Sequence, residues 1–229
     1  MGNDSLATSG GARPSRMGAR RGVFALAATL LGIALVGLVL GLSYYREVVA
    51  PAREWVVRID GQTVMTTGEL ARAIVVRDLI SGNPSPESEL GRAPFVMSDA
   101  RVDLELMRAA APAMGLAVTD GDLDAKLRER FQPGASGDTA AGGEVDRLFR
   151  EAYIRFLTER GIDDGEYRQF VEADILRERF IDALGGFQEL EDWLADERDE
   201  RVVDVRVGSE EYAWVLDEVR SSRPVTGRE

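Results

Sequence analysis

"EVDRLFREAYIRFLTER", residues 144–160, decides the class of this fold. Val145, Leu148, Phe149, Ala152, Tyr153 and Phe156 recur at i, i+3 and i+4 without a break, the period of an amphipathic helix. Gly161 follows where a helix end is expected. One face of this helix carries three aromatic rings and has to be covered. The segments on either side repeat the pattern.

Downstream, Asp163 and Glu166 make a capping box ahead of Tyr167, Phe170, Val171, Ile175, Phe180, Ile181 and Leu184. That predicts a helix closed by Gly185-Gly186, followed by an amphipathic piece from Phe187 to about Asp199. Upstream, a helix capped by Thr119 has Leu123, Leu127 and Phe131 four apart, and a Gly/Ala-rich loop at 132–143 separates it from the quoted stretch. Before it, Val102, Leu106, Ala110 and Met114 share a stripe, with Ser98 as expected cap, Gly115 as terminator and Pro112 as a kink or early stop. Residues 81–95, with three prolines, read as a loop. Thr66 and Glu69 form a capping box for a helix through Ile80 that is apolar nearly all round, hence buried. Trp55–Ile59 reads as a strand, Asp60-Gly61 as a tight turn and Thr63–Met65 as a returning strand. Five or six helices with one small β element make the class mainly α.

Composition excludes much chemistry. There is no cysteine and no histidine, so disulfides, thiolate or imidazole metal sites, cysteine nucleophiles and serine–histidine catalysis are all out. Lys126 is the one lysine. The chain carries a net charge of −12, and since the residues before Arg46 contribute +3, the rest carries −15. So acidic a body repels nucleic acid and anionic headgroups. "DGDLD" at 120–124 has alternating carboxylates, but Ala125 and Phe131 stand where a calcium loop needs Gly and Glu. It reads as acids in a helix's first turn. The acidic run 196–204 reads as a solvated connector. No catalytic residue, metal site or cofactor site is expected.

Gly22–Leu42 holds no charge and, as a helix, is about 30 Å long, the thickness of a bilayer core. Arg20 and Arg21 precede it, and Tyr44 and Tyr45 follow at interface depth. A cleaved signal peptide would have a shorter apolar core, and Val48-Val49-Ala50 before Pro51 is a poor cleavage site. An uncleaved single-pass anchor in the cytoplasmic membrane is expected, N-terminus inside by the arginine bias, with the body extracytoplasmic. The expected divisions are a disordered cytoplasmic tail at 1–21, the transmembrane helix at 22–43, a helical body at 54–199, a strand–helix element at 200–220 and a disordered end at 221–229.

Three stretches carry a likeness. "RIDGQTVMTTGELARAI" (58–74), "VDLELMRAAAPAMGLAVTDGDLDAKLRERF" (102–131) and "FLTERGIDDGEYRQFVEADILRERFIDAL" (156–184) resemble, in order and spacing, the N-terminal chaperone domain of SurA/PrsA-type foldases. The resemblance implies a multi-helix chaperone domain with a short N-terminal β element, no cofactor, and unfolded or newly exported polypeptides as partners. From the residues alone, the stripe Phe149, Tyr153, Phe156 is core or an apolar groove. The resemblance favours a client groove near Phe149, Tyr153, Phe156, Phe170, Ile175 and Phe180.

A parvulin prolyl-isomerase domain often follows in that family. "VDVRVGSEEYA" (203–213) is similar to its opening strand and helix, with Asp204 where a histidine would stand. This element is expected to be a decayed or truncated isomerase remnant, or else a strand–helix appendage packed on the helical body. Three functions stay open: an anchored non-catalytic chaperone, a membrane-tethered scaffold for one defined partner, and a truncated prolyl isomerase.

Overall fold

A computed structural model describes residues 16–131, 142–206 and 209–222, in two units, 1–49 and 50–229. Most of the loop at 132–143, the tail before Arg16 and the end after Ser222 lie outside the described residues.

In the first unit, helix α1 runs Arg16–Tyr44 and a π-helical turn covers Tyr45–Val49. The helix starts earlier than expected: residues 16–21, assigned to the disordered tail, are helical. Arg, Met and Ala are good helix formers and extend the apolar segment backwards. Among the described residues one helical stretch, Leu30–Ala52, is long and apolar enough to cross a membrane. Its large apolar side chains are exposed, Leu31 at 67%.

In the second unit, a helical turn α2 (Ala50–Ala52) leads into strands β1 (Trp55–Ile59) and β2 (Gln62–Thr66). Asp60 and Gly61 join them with φ of 52° and 78°, the two positive values of a type I′ hairpin turn. Then come helices α3 (Thr67–Ser81), α4 (Glu87–Leu90) and α5 (Ala93–Met114). Next are α6 (Asp120–Phe131), α7 (Gly142–Arg160), α8 (Asp164–Leu184) and α9 (Phe187–Glu200). Strand β3 (Val203–Val205) and helix α10 (Ser209–Ser222) complete the unit. The class is mainly α with a three-stranded sheet in the order β2-β1-β3.

Local chemistry explains the boundaries. Thr66 accepts from the Glu69 amide while Glu69 accepts from the Thr66 amide, a complete capping box for α3. Asp163 and Glu166 repeat it for α8, and Thr119 with Asp122 do so for α6. Two expectations need correction. Residues 81–95 are not all loop: α4 lies within them and α5 begins at Ala93. Ser98 is therefore not a cap. It lies inside α5, 1% exposed, and its hydroxyl has no hydrogen-bond partner among the described residues. Pro94 marks the true start, because its missing N–H costs nothing in a first turn. Pro112 sits in the last turn, and the helix ends at Gly115, whose φ of 72° suits glycine.

The C-terminal element packs on the helical body, the second of the two expectations for it. It belongs to the same compact unit as the helical body, not to a separate segment at 200–220. β3 pairs antiparallel with β1 through Val57–Val205, Arg58–Asp204 and Ile59–Val203. The Asp60 amide donates to the Val202 carbonyl at 2.8 Å, and the Arg206 amide to Val56 at 2.8 Å. α10 packs on α3, and Val215 and Val219 are wholly buried in the main core. That core joins the sheet, α3, α5, α9 and the second half of α8, around Leu70, Ile74, Leu106 and Phe180. A second core, around Leu127, Tyr153, Tyr167 and Val171, ties α6 and α7 to the first half of α8. Helix α8 is thus the spine of both.

Candidate functional site

Three helices each turn one stripe toward a shared open groove of about 750 Å³. From α8 come Glu166, Gln169, Phe170, Ala173, Asp174 and Arg177, the i, i+3, i+4 series of a single face. From α5 come Met97, Ala100, Leu104 and Met107, again one face. From α3 come Arg72, Ala73 and Val76, and Met65 of β2 closes one end. Met65, Val76, Leu104 and Met107 are buried and form the floor. The alanines 73, 100 and 173 keep the walls low, so the groove is open rather than filled. Thioether side chains suit such a floor because they adapt to differently shaped apolar partners.

The rim is charged but largely self-satisfied. Arg72 donates to both oxygens of Glu166 at 2.5 and 2.7 Å and pins α3 to the start of α8. Asp103 accepts from Arg198 at 2.6 Å, and Asp174 from Arg130 at 2.5 Å. Arg101 donates to the Val64 carbonyl and pairs with Glu105. Arg77 reaches Asp78 and Ser85.

Two titrations give the unit a pH window. The hydrogen bond from Arg72 holds the Glu166 carboxyl below its ordinary value of 4.5. A depressed carboxyl adds stability that is present above that value and lost as pH falls through the folded one. At the other end, burial first and the nearby Asp99 charge second push the Tyr212 phenol from 10.0 up to about 12. A raised phenol adds stability that is complete below pH 10 and lost as pH climbs toward 12. Urea midpoints of the full chain are therefore expected to be lower at pH 3.5 and pH 11 than at pH 7. Tyr212→Phe should weaken the alkaline fall, because the phenol that titrates there is gone.

Of the six residues expected to line a client groove, Phe170 alone lines this one. Phe180 is fully buried in the main core with its ring centroid 4.9 Å from Trp193, and Tyr153 and Ile175 are buried in the second core. Those three present little free surface, and the six residues divide between the two cores. Phe149 stacks on Tyr153 at 5.9 Å, and Phe156 packs on Phe131 at 5.2 Å, so the aromatic stripe of α7 is a packed cluster. Tyr153 donates to Asp164 at 2.7 Å, and burial pushes its phenol well up. Asp204 is exposed at the edge of the sheet, opposite Arg58. In the 120–124 segment, Asp122 caps α6 and pairs with Arg179, while Asp124 pairs with Arg168. Among the described residues no cluster of carboxylates is arranged to hold a metal ion.

The groove residues that sequence reasoning missed are Met65, Met97, Met107 and the three alanines. A helix facing a groove has the same apolar period as one facing a core. The one usable signal was their composition, small residues and methionines sharing a stripe on α5. No family model, curated protein or solved structure matches this chain.

Proposed function

We propose that this chain is a membrane-anchored, chaperone-like protein that holds apolar segments of unfolded or newly exported polypeptides in the groove between α3, α5 and α8. The observation that carries the reading is that groove, a methionine-floored apolar channel walled by alanines and left open. Such a surface fits many apolar sequences weakly rather than one shape tightly. The apolar helix at the N-terminus supports an anchor in the cytoplasmic membrane, and the arginine bias supports an extracytoplasmic body. The likeness of residues 58–74, 102–131 and 156–184 to SurA/PrsA-type chaperone domains points the same way. β3 and α10 close this unit's own sheet and core, which favours the chaperone reading over the isomerase alternative.

The full chain in lipid nanodiscs is expected to suppress aggregation of an unrelated unfolded protein at near-equimolar ratio without nucleotide. Ala100 is exposed on the groove wall, so Ala100→Glu places a carboxylate in the channel without disturbing the core. It should weaken holding by about tenfold with an unchanged melting temperature, because a client must then desolvate that charge. Full holding by the Ala100→Glu variant would place clients elsewhere. No holding by the folded wild type, with one stoichiometric partner in a pull-down, would make the protein a scaffold.

A further inference from the structure

Among the described residues, one ionisable side chain lining the groove has no hydrogen-bonding or ion-pair partner. Every other ionisable side chain lining it has a partner of its own: Arg72 with Glu166, Arg101 with Glu105, Asp103 with Arg198, Asp174 with Arg130, Arg77 with Asp78, and Glu69 with the Thr66 cap. Arg177 is exposed on the α8 wall and, among the described residues, makes no hydrogen bond or ion pair. Its guanidinium stands beside the apolar channel with its donors open to a ligand. Gln169 lines the same wall and is likewise without a hydrogen bond. Eight residues of helix separate the two along one face, a rise of about 12 Å. An extended peptide covers that distance in about four residues.

Resting on the chaperone reading above, we propose that the groove selects among apolar segments by charge, and that its preferred occupant carries a carboxylate about four residues from the position facing Gln169, bound by Arg177. The carboxylate is a Glu or Asp side chain or a free C-terminus. A guanidinium takes either through two parallel N–H donors, and the apolar floor beside it strengthens that bond by excluding water. Segments with Lys or Arg at that place are repelled. The groove therefore discriminates on one polar mark while its floor stays permissive.

The test is fluorescence anisotropy with the full chain in nanodiscs of uncharged lipid. The probes are short labelled peptides with a common apolar stretch and Glu, Gln or Lys four residues on, plus a version ending there as a free or an amidated C-terminus. The Glu peptide should bind roughly five- to tenfold tighter than the Gln peptide, and the Lys peptide weaker than either. The free C-terminus should likewise bind tighter than the amide. Arg177→Met should erase the discrimination, so that the Glu and Gln peptides bind alike, and Arg177→Glu should reverse it in favour of Lys. Equal binding of the three peptides that is still weakened by Ala100→Glu would overturn charge selection and leave the holding groove standing. A Glu preference that survives Arg177→Met would overturn the role of Arg177. No binding of any peptide by the folded chain would overturn both the selection and the groove.

Discussion

Val219→Asp in α10 is expected to unfold most of the second unit at room temperature. Val219 is fully buried where α10 packs on α3, in the same core as Leu70 and Ile74. The substitution loses the burial of a valine side chain, about 1.5–3 kcal/mol. It also places a carboxylate in an apolar environment, at a further several kcal/mol unless the carboxyl takes up a proton. A domain of this size has a total stability of about 5–15 kcal/mol. Ala213→Asp is the control, since Ala213 lies on the exposed face of the same helix and receives the same charge. Urea unfolding of the full chain in detergent micelles, followed by tryptophan fluorescence, separates the two. A detached remnant would tolerate both substitutions equally, so matching midpoints would mean that α10 contributes nothing to the core.

Tyr167→Ala is the second large effect. Tyr167 is 4% exposed, and its ring centroid lies 5.9 Å from Phe131, 5.9 Å from Tyr153, 5.1 Å from Phe156 and 6.1 Å from Phe170. Truncating a buried aromatic costs about 3–5 kcal/mol, part transfer and part residual cavity, and tilted ring pairs add to it. The loss should fall on the second core first, so protease should cut within α6 or α7 before the sheet is exposed. Phe149→Ala, at the partly exposed end of the same cluster, should cost about 1 kcal/mol. Equal losses at 149 and 167 would mean that the cluster is not organised around Tyr167. The contrast matters for binding work: substitutions at Tyr153, Ile175 or Phe180 report on folding, whereas Ala100 and Arg177 can change without touching either core.

What could be read from the residues was what local physics settles. The capping boxes at Thr66, Thr119 and Asp163 are legible because both partners lie within one turn. The Asp60-Gly61 turn is legible because few residue pairs accept two positive φ values. The start of α5 was misplaced because Ser98 resembles a cap in isolation, and only the packing of α5 along the sheet and α3 draws the helix back to Ala93. The strand and helix at 203–222 were legible as elements, yet alternation cannot say which sheet a strand joins. The groove was hidden for a related reason. Its three stripes lie about 30 to 100 residues apart, and whether facing stripes close up or stand open is decided by tertiary packing.

The pairing of Val57 with Val205 also sets an order of events. The β1–β2 hairpin can form within microseconds of its synthesis. β1 then waits, with its second edge unsatisfied, until nearly the whole body has been made. Contacts of such long sequence separation carry a loop-closure cost before they return any stability, and they slow folding. The second core draws mainly on α6–α8, neighbours in sequence, with Val76 of α3 made before them, and so has no such delay. Until β3 and α10 are made, β1 keeps one open edge and α3 lacks the helix that covers it.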